Sequence, residues 1–574
     1  MRLALTTALA FGLFALGARA DDWYVEARFD DPAAVVRVAP LFQHMDVDRR
    51  RGVLRVDTDE EGIRALQDAG MRVQIDEAAT AQLRAFYRNA KGMDSIPGYA
   101  CYRTVEETYS SMDQLAAARP DLASVEDIGP SWERSRNAAQ GYALRALRVT
   151  RRDTLAGDPG RPPFVVFGSI HAREYTPAEL LTRMAEWLVN GYGSDAQATW
   201  LVDHVDFRFV LQANPDGRKK AESGISWRKN TDTVNGACSG TPSGSSQPGI
   251  DLNRNFPFHW NITGGTGSSG TRCNLTYRGP SAASEPETQD LVRYVAGTQD
   301  GNGVWQGGVL PDRRPDDVNI PAPDDYAGVF FDIHSYSQLV LWPWGDTTNA
   351  APNRDALQTF GRRLAWFNGY TPEQSDSLYP TDGTTDDTFY GLLGAPAFTI
   401  ELGVAFFENC TTFASTTLPQ NQAALLYAAR SAWRPYRLPL GPDAVGLTLD
   451  ATTVVAGQPA GLHATINDAR YNQSNGVEPT YPIRAAYAYV DTPPWQAGAV
   501  AIPLSAADGS FNSSSEAVVG SIDTAALAPG RHLVYVQGIS NRSAAGTAGP
   551  PDAIFLDVTA APNDTIFRDS FDAP

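Results

Sequence analysis

Three separated apolar runs each end on a side chain able to hold a metal ion or move a proton, and that coincidence constrains the chain more than any other feature. Pro163 to Ile170 (PFVVFGSI) runs into His171, with Glu174 three residues further on. Tyr326 to Ile333 (YAGVFFDI) runs into His334, and Ala397 to Ile400 (AFTI) runs into Glu401. Short runs rich in β-branched and aromatic residues fit strands buried on both faces of a parallel sheet. Open α/β sheets carry their ligand sites at the carboxyl ends of such strands. A lone His-x-x-Glu arises by chance in a chain this long and then reads as an exposed loop charge pair. With seven histidines in 574 residues, three such strand ends are hard to explain by structure alone.

Beyond Glu174, a Thr176 N-cap, Pro177 in the first turn and Glu179 three residues after the cap predict a helix start. Leu180, Leu181, Met184, Trp187 and Leu188 keep one helix face apolar, and Gly191 supplies a stop. His171 and Glu174 therefore belong to a strand-to-helix loop. Two imidazole nitrogens and one carboxylate leave the fourth tetrahedral position of a Zn²⁺ open, the arrangement of a hydrolytic rather than a structural site. On that reading His171, Glu174 and His334 are the ligands and Glu401 is the base acting on water.

Six ordered motifs extend the pattern: HARE at His171 to Glu174, NPDG at Asn214 to Gly217, WRKN at Trp227 to Asn230, DLNRNF at Asp251 to Phe256, IHSYSQ at Ile333 to Gln338, and FTIEL at Phe398 to Leu402. Together they make the stretch from about Tyr99 to Arg437 resemble the zinc metallocarboxypeptidases of the pancreatic A/B type and their secreted bacterial relatives. The resemblance implies one zinc on His171, Glu174 and His334, Glu401 as general base and acid, and Arg228 on the oxyanion. It further implies that Asn253 and Arg254 clamp the terminal carboxylate of a peptide while Tyr379 closes over the bound residue. A guanidinium fork matches a carboxylate in two-point geometry, so Arg254 suits a free C-terminus; standing alone it would read equally well as a surface charge. Arg173 matches a family arginine but reads at least as well as a structural ion pair, outside the core set.

The family's stretch from the closing tyrosine to the glutamate aligns without gaps to Tyr379–Glu401, which puts Asp386 at the floor of the specificity pocket. Within the family, an aspartate there goes with removal of C-terminal Lys or Arg, and a buried carboxylate does demand a cationic partner. Asp387 adjoins it, so a slip of one residue would change the assignment, and some bacterial relatives with acidic pockets also accept apolar side chains. The resemblance also implies a Cys238–Cys273 bridge. Cys101 and Cys410 are the remaining pair, whose bonding would tie the start of the catalytic domain to the segment just after Glu401; by themselves, four cysteines allow three connectivities.

The fold class expected is α/β, a mixed, mostly parallel sheet flanked by helices, with a small N-terminal α+β unit and a C-terminal all-β sandwich. Residues 1–20 read as a secretory signal: Arg2, the apolar run Leu3 to Leu16, then Ala18-Arg19-Ala20 before a cut at Asp21. Residues 21–94 alternate strand patterns with a helix, and the resemblance suggests a propeptide; the alternative is a permanent accessory domain. Arg88, Lys91 and Gly92 mark a region for an activating protease. Residues 95–437 read as the catalytic domain, 438–444 as a stiff Pro-rich linker, 445–560 as the sandwich, and 561–574 as a short acidic-aromatic tail. Asp300 to Asp325 reads as an insertion of unknown role.

The expected activity is removal of C-terminal residues from peptides by a secreted, disulfide-bonded enzyme. The alternatives are a broad-specificity or cell-wall-peptide zinc hydrolase of the same fold, or a non-catalytic exported binding protein. No Gly-rich phosphate loop, basic nucleic-acid stripe or bilayer-length apolar run appears. The net charge of −19 fits cationic peptides only weakly, since an acidic surface also serves solubility.

Overall fold

The strands predicted from the three apolar runs lie next to one another in an eight-stranded mixed sheet. Its order is Thr371–Gln374, Leu339–Trp342, Ala397–Leu402, Val329–Ser335, Pro163–Gly168, Asp206–Val210, Ala143–Val149 and Ala123–Pro130. The four strands from Ala397–Leu402 to Asp206–Val210 run parallel to their neighbours, and antiparallel pairs flank them on each side. This computed structural model describes residues 23–80, 96–153 and 160–561, except positions 40, 43, 44, 50, 78, 241, 316 and 378. The expected signal segment, the processing region around Arg88 to Gly92 and residues 562–574 of the tail lie outside the described residues.

Phe164, Val165, Val166 and Phe167 are fully buried, as are Phe330, Phe331, Ile333, Phe398 and Ile400, which is why these segments read as continuous apolar runs rather than alternating ones. Among the helices flanking the sheet are Val105–Ala118, Tyr175–Gly191, Arg354–Asn368 and Leu418–Ser431. Register aligns the chemistry. His334 pairs directly with Glu401, and Ile333 pairs with Gly168, three residues before His171. His334 and Glu401 sit at the penultimate positions of their strands rather than beyond them.

Residues 23–75 form a four-stranded antiparallel sheet, ordered Asp46–Asp48, Val53–Thr58, Trp23–Arg28 and Arg72–Ile75. Helices Ala33–Val38 and Glu60–Asp68 accompany it, giving the expected α+β unit. Strands from Asp443 to Thr559 build the expected all-β region around a separate core that includes Leu462, Ile466, Val534 and Val536.

The segment expected to be a linker is packed instead. Leu438 and Pro439 are buried, and a sheet strand already begins at Asp443. The reason lies in Arg363, fully buried on the helix Arg354–Asn368. Its guanidinium donates to Pro439 O at 3.2 Å, Gly441 O at 2.6 Å and Tyr471 Oη at 2.7 Å, and lies 3.4 Å from Asp468. Each proline removes a backbone donor but keeps its carbonyl, and here the carbonyls of Pro439 and Gly441 serve as acceptors for a buried cation. The insertion also packs on the sheet's helices: Ala322 exchanges two hydrogen bonds with Asn353, at 2.9 Å each, and Arg314 stacks over Tyr390.

Both cysteine pairs are bonded, Cys101 to Cys410 and Cys238 to Cys273. Among the described residues no helix is long and apolar enough to cross a membrane.

Candidate active site

The helix after His171 starts at Tyr175, so Glu174 rather than Thr176 occupies the N-cap position, and its side chain makes no capping hydrogen bond. That carboxylate is committed elsewhere. Oε1 lies 2.8 Å from His171 Nδ1, Oε2 lies 3.1 Å from His334 Nδ1, and the Ser335 backbone N–H donates to Oε2 at 3.0 Å. The Nδ1 atoms of His171 and His334 approach to 3.0 Å. All three residues are buried, and they form the group able to hold a metal ion among the described residues.

The other ring nitrogens decide the tautomers. His171 Nε2 faces Asp251 Oδ1 at 3.2 Å, and His334 Nε2 faces Asp332 Oδ2 at 3.0 Å. A carboxylate accepts, so with a metal ion among Glu174 and the two Nδ1 atoms each imidazole would carry its proton on Nε2 and offer its Nδ1 lone pair to the ion. Two lone pairs and a carboxylate converging at this distance repel unless a cation lies among them. The donor set therefore fits a zinc ion, with the second carboxylate layer that zinc-binding histidines require.

Asp251 is fully buried and serves two masters: besides His171 it holds Arg228 through Nε, at 3.0 Å, and through Nη2. Arg228 is fully buried, and burial pulls its guanidinium down to about 10, with Asp251 opposing. Its Nη1 has no hydrogen-bond partner among the described residues, and the side chain lines the same cavity as His171 and Glu401. Burial pushes the Glu401 carboxyl up to about 8, a range suited to exchanging protons near neutral pH.

Farther along that cavity lie Asn253, Arg254, Tyr379 and Asp386. Arg254 is anchored by two donations, Nε to Gly267 O at 2.9 Å and Nη1 to Asn253 O at 2.7 Å. Asn253 Oδ1 accepts from the Thr385 N–H at 2.9 Å. Asp386 lines the cavity and accepts from Ser375 Oγ at 2.9 Å. Its neighbour Asp387 turns away, both of its oxygens 3.0 Å from the Gly345 N–H. The two adjacent carboxylates are thus separated by direction. Arg173 is held by Ser226 Oγ at 3.1 Å and stacks over Phe406, beside the metal group rather than in it.

The N-terminal unit reaches this cavity. Met45, itself buried, lines it, and Tyr379 joins the hydrophobic cluster of the N-terminal unit. Ser245 Oγ, in the loop closed by Cys238–Cys273, donates to Asp59 Oδ2 at 2.6 Å. Sequence reasoning missed Asp251, Asp332, Ser375 and Met45. A carboxylate inside the apolar run VFFDI was the one visible signal, for Asp332.

The family profile described as zinc carboxypeptidase matches residues 108–413. A zinc carboxypeptidase of Saccharothrix mutabilis subsp. capreolus is 29% identical over 389 residues, spanning 64% of this chain and 79% of that protein. A metallocarboxypeptidase A-like protein of Trichophyton verrucosum is 36% identical over 316 residues, 53% of this chain and 63% of its own. The crystal structure of carboxypeptidase A from Helicoverpa armigera shares the fold at 19% identity with a TM-score of 0.53, covering 72% of this chain and 98% of that one. Thrombin activatable fibrinolysis inhibitor does so at 20% identity and a TM-score of 0.52, covering 72% and 99%.

Proposed function

Because the chain belongs to the zinc carboxypeptidase family, a family of zinc-dependent peptide hydrolases, we propose that it is an exported carboxypeptidase made as a zymogen and selective for C-terminal Arg and Lys. The observation that carries this reading is one cavity bringing together His171, Glu401, Arg228, Arg254 and Asp386. His171, Glu174 and His334 would hold the zinc. When bound, the ion supplies Lewis-acid activation of water and of the scissile carbonyl.

The chain's own residues do the rest. Arg254, with two of its nitrogens already anchored, turns the remainder of its fork to the substrate's terminal carboxylate, and Asn253 borders the same space. Asp386, buried to 3% exposure, receives the cationic side chain of the last residue. Arg228 Nη1 meets the charge that develops on the carbonyl oxygen, and losing such a donor typically costs about 10² to 10³ in rate. Glu401 takes a proton from the attacking water and passes it to the departing amine nitrogen as the C–N bond breaks. Asp251 keeps His171 and Arg228 in one fixed relation throughout.

Residues 21–94 act as the propeptide in this reading, supported by Met45 in the cavity, Tyr379 packed beneath the unit and the Asp59–Ser245 contact. Export is supported by the signal pattern of residues 1–20 together with two disulfides, which persist in oxidising compartments.

The test is hydrolysis of N-blocked peptides ending in Arg, Lys, Leu or Phe, as free acids and as C-terminal amides, by the chain cleaved before residue 95. Chelator-sensitive release from the free acids, strongest for Arg and Lys, is the expected result. Equal cleavage of the amides would exclude the carboxylate clamp, and preference for Leu or Phe would exclude the role given to Asp386.

A further inference from the structure

Asp332 stands in the middle of the strand Val329–Ser335, where every residue is buried and the neighbours are Phe330, Phe331 and Ile333. A carboxylate in such a place is costly unless a positively polarised donor meets it. Residues two apart on a strand share a face, so Asp332 and His334 lie side by side, and Oδ2 of the one is 3.0 Å from Nε2 of the other. Among the described residues His334 is the ion-pair partner of Asp332. Asp251, by contrast, divides itself between His171 and Arg228.

A second contact fixes the carboxylate. Thr385 Oγ1 donates to the same Oδ2 at 2.7 Å, while the Thr385 N–H donates to Asn253 Oδ1 at 2.9 Å. Asn253 Nδ2 lies 3.4 Å from His334 Nε2, a packing contact between two donors that brings Asn253 beside the Asp332, His334 and Thr385 group. Thr385 is also the first residue of the helix Thr385–Leu393, and the next residue is Asp386. A single hydroxyl therefore joins the surroundings of a metal ligand to the start of the helix that sets the pocket.

We propose that Asp332 and Thr385 are positioning residues of the metal centre: Asp332 holds the His334 ring with Nδ1 presented to the zinc, and Thr385 locks that carboxylate and couples the centre to the specificity helix. The inference rests on the zinc carboxypeptidase reading. Partners of metal-bound histidines orient the ring and raise its basicity, and losing one typically weakens metal binding about 10- to 100-fold. Thr385 acts one bond further out, so its loss has the smaller effect on the metal but also reaches Asp386.

The experiment uses the full chain and its Asp332→Asn, Thr385→Val and Thr385→Ser variants. Zinc affinity is measured by chelator competition, the visible spectrum is recorded after cobalt substitution, and the thermal midpoint of each metal-free protein reports folding. Asp332→Asn keeps the shape and removes the charge; it is expected to bind zinc about 10- to 100-fold more weakly, with a shifted cobalt spectrum. Thr385→Val is expected to lose affinity severalfold and to change the Arg-to-Leu preference, and Thr385→Ser, which keeps the hydroxyl, to restore both. If Asp332→Asn fails to fold, the Val and Ser pair decides: equal affinity in the two overturns the proposal. A parent chain that holds one zinc while all variants match it within about twofold overturns this inference alone. A parent chain that holds none overturns the metal reading with it.

Discussion

Replacing Asp386 by Asn isolates the charge of the pocket from its shape. The carboxylate is 3% exposed and accepts from Ser375 Oγ at 2.9 Å and from the Asp387 N–H at 3.0 Å. An amide of the same size keeps an oxygen for one of these donors and removes the negative charge that an incoming guanidinium or ammonium would meet. Truncating one partner of a buried, hydrogen-bonded charge pair costs about 2 to 5 kcal/mol, which at about 1.4 kcal/mol per decade is a loss of roughly 30-fold to several thousandfold in kcat/KM for C-terminal Arg. Leucine feels the opposite change, because an unpaired carboxylate beneath an apolar side chain is unfavourable and an amide is less so. The Arg-to-Leu ratio should therefore fall by at least about 30-fold. The assay is kcat/KM for matched N-blocked peptides ending in Arg, Lys, Leu and Phe, with Asp387→Asn beside it. Asp387 faces Gly345, so its variant should leave the ratio in place. A ratio that moves in Asp387→Asn and stays put in Asp386→Asn would refute the geometric assignment of the pocket floor.

Four further outcomes follow from the same structure. Glu401→Gln should retain zinc, because the proposed ligand set of His171, Glu174 and His334 does not include it, yet lose nearly all turnover; paired metal analysis and single-turnover kinetics check this. Ser245→Ala removes the 2.6 Å donation to Asp59 and should raise the basal activity of the uncleaved chain without altering that of the cleaved one. Arg363→Met removes the cation beside the buried carboxylate of Asp468 and leaves Asp443 to Arg470 alone, at a cost of about 3 to 5 kcal/mol, and should open the 438–444 segment to proteolysis while lowering the thermal midpoint. Burial raises Glu285 to about 7 from its ordinary 4.5. An acid whose folded pKa lies above its unfolded value costs stability as pH rises through that window, so Glu285→Gln should gain on the parent at pH 8 relative to pH 5 in thermal melts.

His171, His334 and Glu401 were legible because each terminates an apolar run, and a parallel sheet converts three such endings into neighbours. Glu174 was legible by spacing, but its place in the helix was not: capping rules chose Thr176, whereas the carboxylate that would cap is drawn to two imidazoles and a backbone amide from a strand far away in sequence. Asp251 and Asp332 escaped as well. Asp251 takes its meaning from His171 and Arg228, 80 and 23 residues away in sequence, and the local sign of Asp332, a carboxylate two residues before His334 inside an apolar run, acquires a role only once His334 is seen in the metal group. Asp386 could be separated from Asp387 only once the helix Thr385–Leu393 had a direction. The proline-rich stretch 438–444 reads as a spacer by composition, since composition says nothing of a buried arginine waiting for its carbonyls.

The bridge from Cys101 to Cys410 joins positions 309 residues apart, and that span encloses the whole set His171, Glu174, Arg228, Arg254, His334, Asp386 and Glu401. Residues 21–94 lie outside the ring it closes. A protease that severs the chain ahead of Cys101 can liberate the N-terminal unit, whereas one that nicks any loop from 102 to 409 leaves both fragments tethered. The same topology that would let the proposed propeptide depart keeps a damaged catalytic body whole: such a nicked molecule runs at one size on a non-reducing gel and splits in two only after thiol treatment.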